Sequence, residues 1–380
     1  MKIIADENIP HAREAFAALG EVSTLPGRNM QASDLVDCEC LLVRSITRVN
    51  ADLLDGTAVR FVASATIGTD HIDLDYLAQN NIAFANAPGC NAESASEYMI
   101  NALFALADKR QFDPFKLTAG IIGHGNVGSR VKNKLDALGI NTLVNDPPLQ
   151  QAGDDSLNYV SLQTILHECD FITCHVPLTT QGEHATKHLL DSDRLQELTR
   201  GCVLFNAARG PVIDNRALSQ LLQQRSDLTV FLDTWEGEPA IDQDLLLQVD
   251  LATPHIAGYS VEGKLRGTQM ILQAACQHFC IGSEWSMQDH LPDIQTLTFN
   301  AQTDSVFWPT LFKEHFDVFE DHQRLCASAS LPPAHAASEF DLLRKNYPKR
   351  YEYNRFRIPP QINSRLAAQA AQLGFLTYKK

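Results

Sequence analysis

No uninterrupted apolar run in this 380-residue chain approaches the roughly 20 residues a membrane-spanning helix needs, which excludes a helical span. A secretory leader also lacks room: Met1-Lys2-Ile3-Ile4-Ala5-Asp6 reaches an acidic residue before the roughly 7 to 15 apolar residues such a leader requires, so residence in the cytoplasm is expected. Zinc-finger and redox spacings are missing. The nine cysteines are odd in number, and the close pairs Cys38/Cys40 and Cys276/Cys280 are not CxxC, so buried, reduced thiols and no metal site are expected. Basic residues are in deficit, 31 against 46 acidic, for a net charge of −15. Sequence-independent binding to nucleic acid requires Lys and Arg to displace counterions, so that class is disfavoured, and an anionic substrate would need a local basic pocket. No repeat of solenoid period interrupts the chain.

What remains is ordinary soluble composition, 44% hydrophobic and 20% charged, in a chain longer than one core usually supports. Two or three domains are expected. Short strand-like runs at Lys2–Ala5, Leu41–Val43, Arg60–Ala63 and Ile82–Ala85 alternate with helical or polar pieces, the signature of a parallel α/β unit. Ala95, Tyr98, Met99, Ala102, Leu103 and Leu106 recur at intervals of three and four, which predicts one helix over Glu93–Lys109. A second α/β unit follows, with strands at Ala119–Gly123, Thr142–Asn145, Phe171–His175, Val203–Ala207 and Thr229–Asp233, and then a helical pattern from Val261 to Cys280. Beyond Gly282 prolines and aromatics become frequent and a third domain is expected, with Ala327–Ala337 as a loop around Pro332-Pro333.

The sharpest motif is Gly123-His124-Gly125-Asn126-Val127-Gly128, which follows the strand Ala119–Ile122 and opens a helix. In that setting GxGxxG is a dinucleotide fingerprint. Gly123 permits the tight turn, Gly125 lets a pyrophosphate approach the backbone, and Gly128 lets helix pack on strand, while the free amides of the helix start hold the anion. Asp146 ends the next strand, 18 residues beyond Gly128. A carboxylate there can bind both hydroxyls of an adenosine ribose and repels a 2′-phosphate, so NAD is favoured over NADP, although Asp146 alone also reads as a turn residue beside Pro147-Pro148.

Three residues downstream fall at strand ends, where ligands of open α/β sheets gather: Arg209 in Asn206-Ala207-Ala208-Arg209-Gly210, Glu238 before Pro239, and His255 after Pro254. Their chemistry fits alcohol oxidation. A histidine accepts the hydroxyl proton as hydride leaves the carbon. A carboxylate, Glu238, fixes its tautomer, and the planar fork of Arg209 matches the substrate carboxylate. Singly, Arg209 also reads as a surface ion pair, Glu238 as a solvated carboxylate and His255 as a core histidine among the chain's 13.

The order of these motifs resembles the D-isomer-specific 2-hydroxyacid dehydrogenase family, which carries GxGxxG, His-x-Pro-Leu, Asn-x-Ala-Arg-Gly, an acidic Glu-Pro and Pro-His. Here they stand as Gly123–Gly128, His175-Val176-Pro177-Leu178, Asn206–Gly210, Glu238-Pro239 and Pro254-His255, and the likeness covers roughly residues 1 to 282. Asp6–Pro10, Val43-Arg44-Ser45, Ser64–His71, Asn86–Ala92, Gly258-Tyr259-Ser260 and a tail of about 100 residues are similar to one branch that acts on a phosphorylated hydroxy acid. The resemblance implies two Rossmann-like α/β lobes flanking a cleft whose closure excludes water. It implies a substrate lobe over 1–93 with a return segment about 255–282, an NAD lobe over 94–254, and an α+β dimerisation domain over 283–380 that makes a homodimer. It implies catalysis by Arg209, Glu238 and His255; NAD contacts from Gly123, Gly125, Asn126, Val127, Gly128, Asp146, Val176, Ala207, Asp233 and Gly258; and substrate contacts from Ser45, Thr66 and Tyr259. Val176 stands where the family often has a hydroxyl, so its contribution would come from the backbone. For the substrate phosphate Arg44 leads, with Arg48 as the alternative and a plain surface role open for both. Arg344, Lys345, Lys349, Arg350, Arg355 and Arg357 read as a solvated helix face, or as donors to a partner subunit's site. Another hydroxy acid, such as 3-phosphoglycerate, and a non-catalytic NAD sensor remain alternatives on the same fold.

Overall fold

The computed structural model describes residues 1–378; the last two residues of the expected C-terminal domain, 379 and 380, lie outside the described residues. The chain divides into two compact units, Met1–Glu93 with Tyr259–Pro292, and Ser94–Gly258 with Asp293–Lys380. By packing, the stretch expected to form a third domain after Gly282 is therefore shared: its first ten residues lie in the first unit and the rest in the second.

The first unit is built on β1 (Lys2–Asp6), β2 (Glu21–Leu25), β3 (Cys40–Val43), β4 (Phe61–Ser64) and β5 (Ala83–Asn86). They form one sheet in the order β2-β1-β3-β4-β5, parallel at every pairing. β3 and β4 are buried along their full length because both faces are covered. Ile271, Leu272 and Ala275 of the helix Val261–Phe279 join Phe16 and Leu19 in one core layer, and Leu35, Leu53, Val59 and Leu77 belong to the other.

The second unit holds β6 (Thr118–Ile122), β7 (Asn141–Asn145), β8 (Phe171–Cys174), β9 (Val203–Asn206), β10 (Thr229–Leu232) and β11 (Leu251–Ala252). Their order is β11-β10-β9-β8-β6-β7, again all parallel. From β6 the chain goes outward to β7 and then crosses to β8 on the other side. The carboxyl ends of β6 and β8 thus flank the topological switch point, where ligands of such sheets bind.

The C-terminal stretch completes this second unit. Its helix Asp304–His315 buries Phe307, Trp308, Leu311 and Phe312. Polar bonds add direction: Asn101 donates to the Phe312 carbonyl at 2.9 Å, and the Tyr98 hydroxyl to Asp321 at 2.9 Å. A two-residue ladder pairs β12 (Gln295–Thr296) with β13 (Phe356–Arg357). The loop expected over Ala327–Ala337 shrinks to Leu331-Pro332, because a 3-10 turn takes Ala327–Ser330 and a helix runs from Pro333 to Lys345. Proline serves at a helix start, where its missing N–H has no partner to lose.

Candidate active site

The glycine motif forms the tight turn its spacing requires. Gly123 has φ 91°, and a Cβ there would lie 2.8 Å from the His175 carbonyl and from Val176 Cγ1. A Cβ on Gly128 would lie 1.9 Å from the Gly123 oxygen, so the helix Asn126–Leu138 leaves the sheet at contact distance. Gly125 faces open space, with no atom within 4 Å of its Cβ position. It caps the helix without a side-chain bond, which leaves the amides of Asn126 and Val127 at an open N-terminus. Asp146, the residue just past β7, accepts from the His124 amide at 2.7 Å and the Leu149 amide at 3.1 Å, so its carboxylate is fixed against the turn. His175 lies beside it with Nε2 2.9 Å from Thr173 Oγ1; burial pushes its pKa down to about 3, and it stays neutral. This open, amide-lined turn with a fixed acidic residue at the next strand end fits a dinucleotide.

β9 and β10 end in two loops pressed together. A Cβ on Gly210 would sit 2.0 Å from the Trp235 carbonyl carbon and oxygen, so only glycine lets the Arg209 loop approach this closely. Asn215 locks the pair: it accepts from the Glu236 amide at 3.0 Å and donates its own amide to the Glu236 carboxylate at 3.0 Å. Asn206 shapes the Arg209 turn by donating to the Arg209 carbonyl at 2.9 Å and accepting from Ala208 at 3.1 Å, with Ala207 half-buried between. Glu238 Oε1 accepts the Trp235 amide at 2.8 Å, and its Oε2 lies 2.8 Å from His255 Nδ1. Burial pushes the Glu238 carboxyl up, but His255 and, further off, Arg344 outweigh it and the carboxyl sits below its ordinary range. An ionised carboxylate only accepts, so His255 Nδ1 carries the proton and Nε2 is left as a base.

Asp233 organises the same segment. Its Oδ1 accepts from Thr253 Oγ1 at 2.6 Å, from the Ile256 amide at 2.7 Å and from the Ala257 amide at 3.1 Å, and its carbonyl accepts from the His255 amide at 2.7 Å. Its Oδ2 is met by the Ala257 amide at 3.1 Å. Burial pushes this carboxyl above its usual range, against His255 and these donors. Gly258, next in line, is half-buried and closes this unit's main segment.

In the first unit the substrate candidates lie past strand ends and, for Tyr259, just before the return helix. Ser45 is exposed just past β3, and Thr66, past β4, has its hydroxyl 2.8 Å from Ser64 Oγ. The Arg44 guanidinium lies 5.6 Å from the centre of the Tyr259 ring. Lys264, which no motif flagged, has Nζ 4.7 Å from the same centre and makes a second cation there. Arg48 is exposed. The six basic residues grouped near the C-terminus do not share a solvated face: Lys345 and Lys349 are exposed, Arg344, Arg355 and Arg357 half-buried, and Arg350 is buried. Only Arg344 and Lys345 lie on the α-helix, which stops at Lys345, and residues 350–357 run on as loop, a short 3-10 turn at Tyr353–Arg355 and the strand β13.

A family profile described as the D-isomer specific 2-hydroxyacid dehydrogenase NAD binding domain matches residues 94–257, and a domain of unknown function matches 290–374. Among solved structures, an NAD+-bound 3-phosphoglycerate dehydrogenase of Entamoeba histolytica superposes with TM-score 0.64 at 25% identity, covering 74% of this chain and 95% of that one. A D-lactate dehydrogenase of Aquifex aeolicus superposes with TM-score 0.61 at 24% identity over 74% and 96% of the two chains, which shows the shared fold. Erythronate-4-phosphate dehydrogenases match along nearly their entire length: that of Tolumonas auensis is 45% identical over 99% of each chain, and that of Pseudomonas aeruginosa 44% identical over 98% of this chain and 99% of its own. At that identity and coverage, the chain belongs to the erythronate-4-phosphate dehydrogenase family, within the D-isomer-specific 2-hydroxyacid dehydrogenases.

Proposed function

We propose that this chain oxidises 4-phospho-D-erythronate to 2-oxo-3-hydroxy-4-phosphobutanoate with NAD as acceptor, a step toward pyridoxal 5′-phosphate, the B6 vitamer. The observation that carries the reading is the 2.8 Å pairing of His255 Nδ1 with Glu238, which leaves Nε2 basic on a chain of this family. NAD, when bound, would supply the acceptor for the hydride that leaves carbon 2. His255 Nε2 takes the hydroxyl proton as the carbonyl forms, and Glu238 stabilises the imidazolium that results. Arg209 holds the substrate carboxylate with its fork and draws charge toward the developing carbonyl.

We assign the pyrophosphate to the amides after Gly123 and Gly125, at Asn126, Val127 and Gly128, the adenosine ribose to Asp146, and the nicotinamide end to Asp233, Gly258 and the backbone at Val176 and Ala207. Asp233 Oδ1 is already met by three donors, so Oδ2 has the greater capacity left for a carboxamide N–H. Ser45, Thr66, Tyr259 and Arg44 are assigned to the substrate, with Lys264 added to Arg44 as a phosphate donor. A cytoplasmic homodimer joined through residues 283–380 completes the proposal, and a gel-filtration mass near that of one chain would refute the dimer.

The test is NADH absorbance growth on mixing purified protein, NAD and 4-phospho-D-erythronate under a keto-acid trap, with 3-phosphoglycerate and D-lactate in parallel. Preference for the erythronate ester with a silent His255→Ala variant is expected. Activity only on another acid would move the substrate, and silence on all three would leave an NAD-binding protein without this reaction.

A further inference from the structure

The C-terminal stretch enters the second unit at one consequential point. Arg350, only 6% exposed, donates to the Ser94 carbonyl at 3.2 Å and to the Ala257 carbonyl. Its guanidinium lies 4.9 Å from the centres of both the Tyr98 and Phe316 rings. Two aromatic faces and two carbonyls hold the planar group in one orientation, and a buried fork held in this way is rigid. Ser94 and Ala257 are not arbitrary acceptors. The chain passes between the two units at Glu93/Ser94, Gly258/Tyr259 and Pro292/Asp293, and Arg350 grips the backbone next to the first two of these passages. Neighbouring residues reinforce the grip: Glu352 accepts from Ser94 Oγ at 2.8 Å, and the Tyr353 amide donates to Glu97 at 3.0 Å.

The Ala257 residue held by its carbonyl is the same one whose amide donates to both oxygens of Asp233, at 3.1 Å each. The line of bonds therefore runs from Arg350 through Ala257 to the Asp233 carboxylate, with Gly258 on the far side of the gripped carbonyl. We propose that Arg350 is a positioning residue for the nicotinamide half of the cofactor, acting through Ala257 on Asp233 and Gly258, and that the C-terminal domain of unknown function serves cofactor binding through it. This rests on the NAD reading above. Loss of the fork lets the 257–258 peptide and the Asp233 carboxylate drift, while the turn at Gly123–Gly128 and Asp146, which bind the other half, keep their own bonds.

The test compares two ligands that share the adenosine diphosphate half, NADH and ADP-ribose, by calorimetric titration of the full-length protein. Arg350→Met is expected to lower NADH affinity about tenfold and ADP-ribose affinity less than twofold. Arg350→Lys keeps the buried charge but cannot span both carbonyls, so an intermediate loss for NADH alone is expected; it carries the test if the Met variant does not fold. Tyr353→Phe, which removes a hydroxyl bonded to Asn101 at 2.6 Å and to the Glu97 carbonyl, is the structural control: a lower melting temperature with an unchanged ratio of the two affinities. Unchanged NADH binding in the Lys variant, or equal losses for both ligands, would overturn the proposal. If the parent protein bound neither ligand, the NAD reading itself would be the part that failed.

Discussion

His255 has φ 56°, in the left-handed region few residues other than glycine adopt, and there its amide donates a hydrogen bond to the Asp233 carbonyl. The ring meets Glu238 because the backbone is bent at this residue, so the pair is a geometric device whose worth can be measured. Glu238→Gln keeps the shape but removes the charge that stabilises the imidazolium, and kcat is expected to fall about a hundredfold or more with little change in KM for NAD. A variant with near-parent kcat would assign Glu238 a packing role only. At the same scale, Lys264 and Arg44 each place a cation beside the Tyr259 ring. A charge-assisted bond contributes about 1.5–3 kcal/mol, so Lys264→Ala should raise KM for the phosphorylated substrate at least tenfold and leave unphosphorylated erythronate unaffected. Equal losses on both substrates would remove Lys264 from the phosphate site. The pairing of Glu238 with His255 was legible because each residue stands in a fixed motif in a loop that follows a strand. Lys264 was not, since a lysine on the first turn of a helix carries no sign of the direction in which it points.

Glycines separate what the elements need from what a ligand needs. Gly128→Ala would drive a methyl to 1.9 Å from the Gly123 oxygen, and Gly210→Ala to 2.0 Å from the Trp235 carbonyl, both against backbone that cannot swing aside. Each is expected to lower the melting temperature by several degrees and to weaken activity through displaced loops. Gly125→Ala meets nothing within 4 Å and has an ordinary φ of −73°, so it should fold with parent stability yet bind NADH at least tenfold more weakly. Thermal melts and NADH titration on the three variants check this together; a stable Gly125→Ala with unchanged NADH affinity would move the pyrophosphate away from this turn. The sequence pattern disclosed most of the strands because parallel strands covered on both faces read as apolar runs. β2 escaped it: Glu21-Val22-Ser23-Thr24-Leu25 lies at the sheet edge and is largely polar. β11 escaped it for length, having two residues. The C-terminal basic residues misled because one helix face cannot carry all six when the helix ends at Lys345, and burial of Arg350 depends on rings and carbonyls distant in the chain.

Among the described residues, the second unit holds two imidazoles in surroundings with no compensating charge, His315 buried and His175 half-buried with its Nδ1 enclosed. His175 and His315 have pKa values pushed down to about 3 by burial, with a hydrogen bond to the Tyr351 carbonyl only partly offsetting this for His315. Their unfolded-state value is about 6.5. Between pH 6.5 and 3 the unfolded chain therefore binds protons that the folded chain refuses, so stability is whole above pH 6.5 and falls as pH drops, by up to about 1.4 kcal/mol per pH unit for each imidazole. Asp233 and Asp321 act in the opposite sense at the acid end, because burial raises their folded values and protonation there favours the folded state. Comparison with a variant cancels what the two chains share. His315→Gln should be less stable than the parent at pH 7, having lost ring packing against Tyr353 and Phe356, whose centres lie 4.8 and 4.7 Å away. Its deficit should shrink steadily in urea unfolding at pH 7, 6 and 5, because the parent loses stability that the variant no longer has to lose. A deficit that stayed constant, or widened toward pH 5, would mean that His315 takes up a proton inside the folded unit, and that the hydrogen bond to Tyr351 outweighs the burial around it.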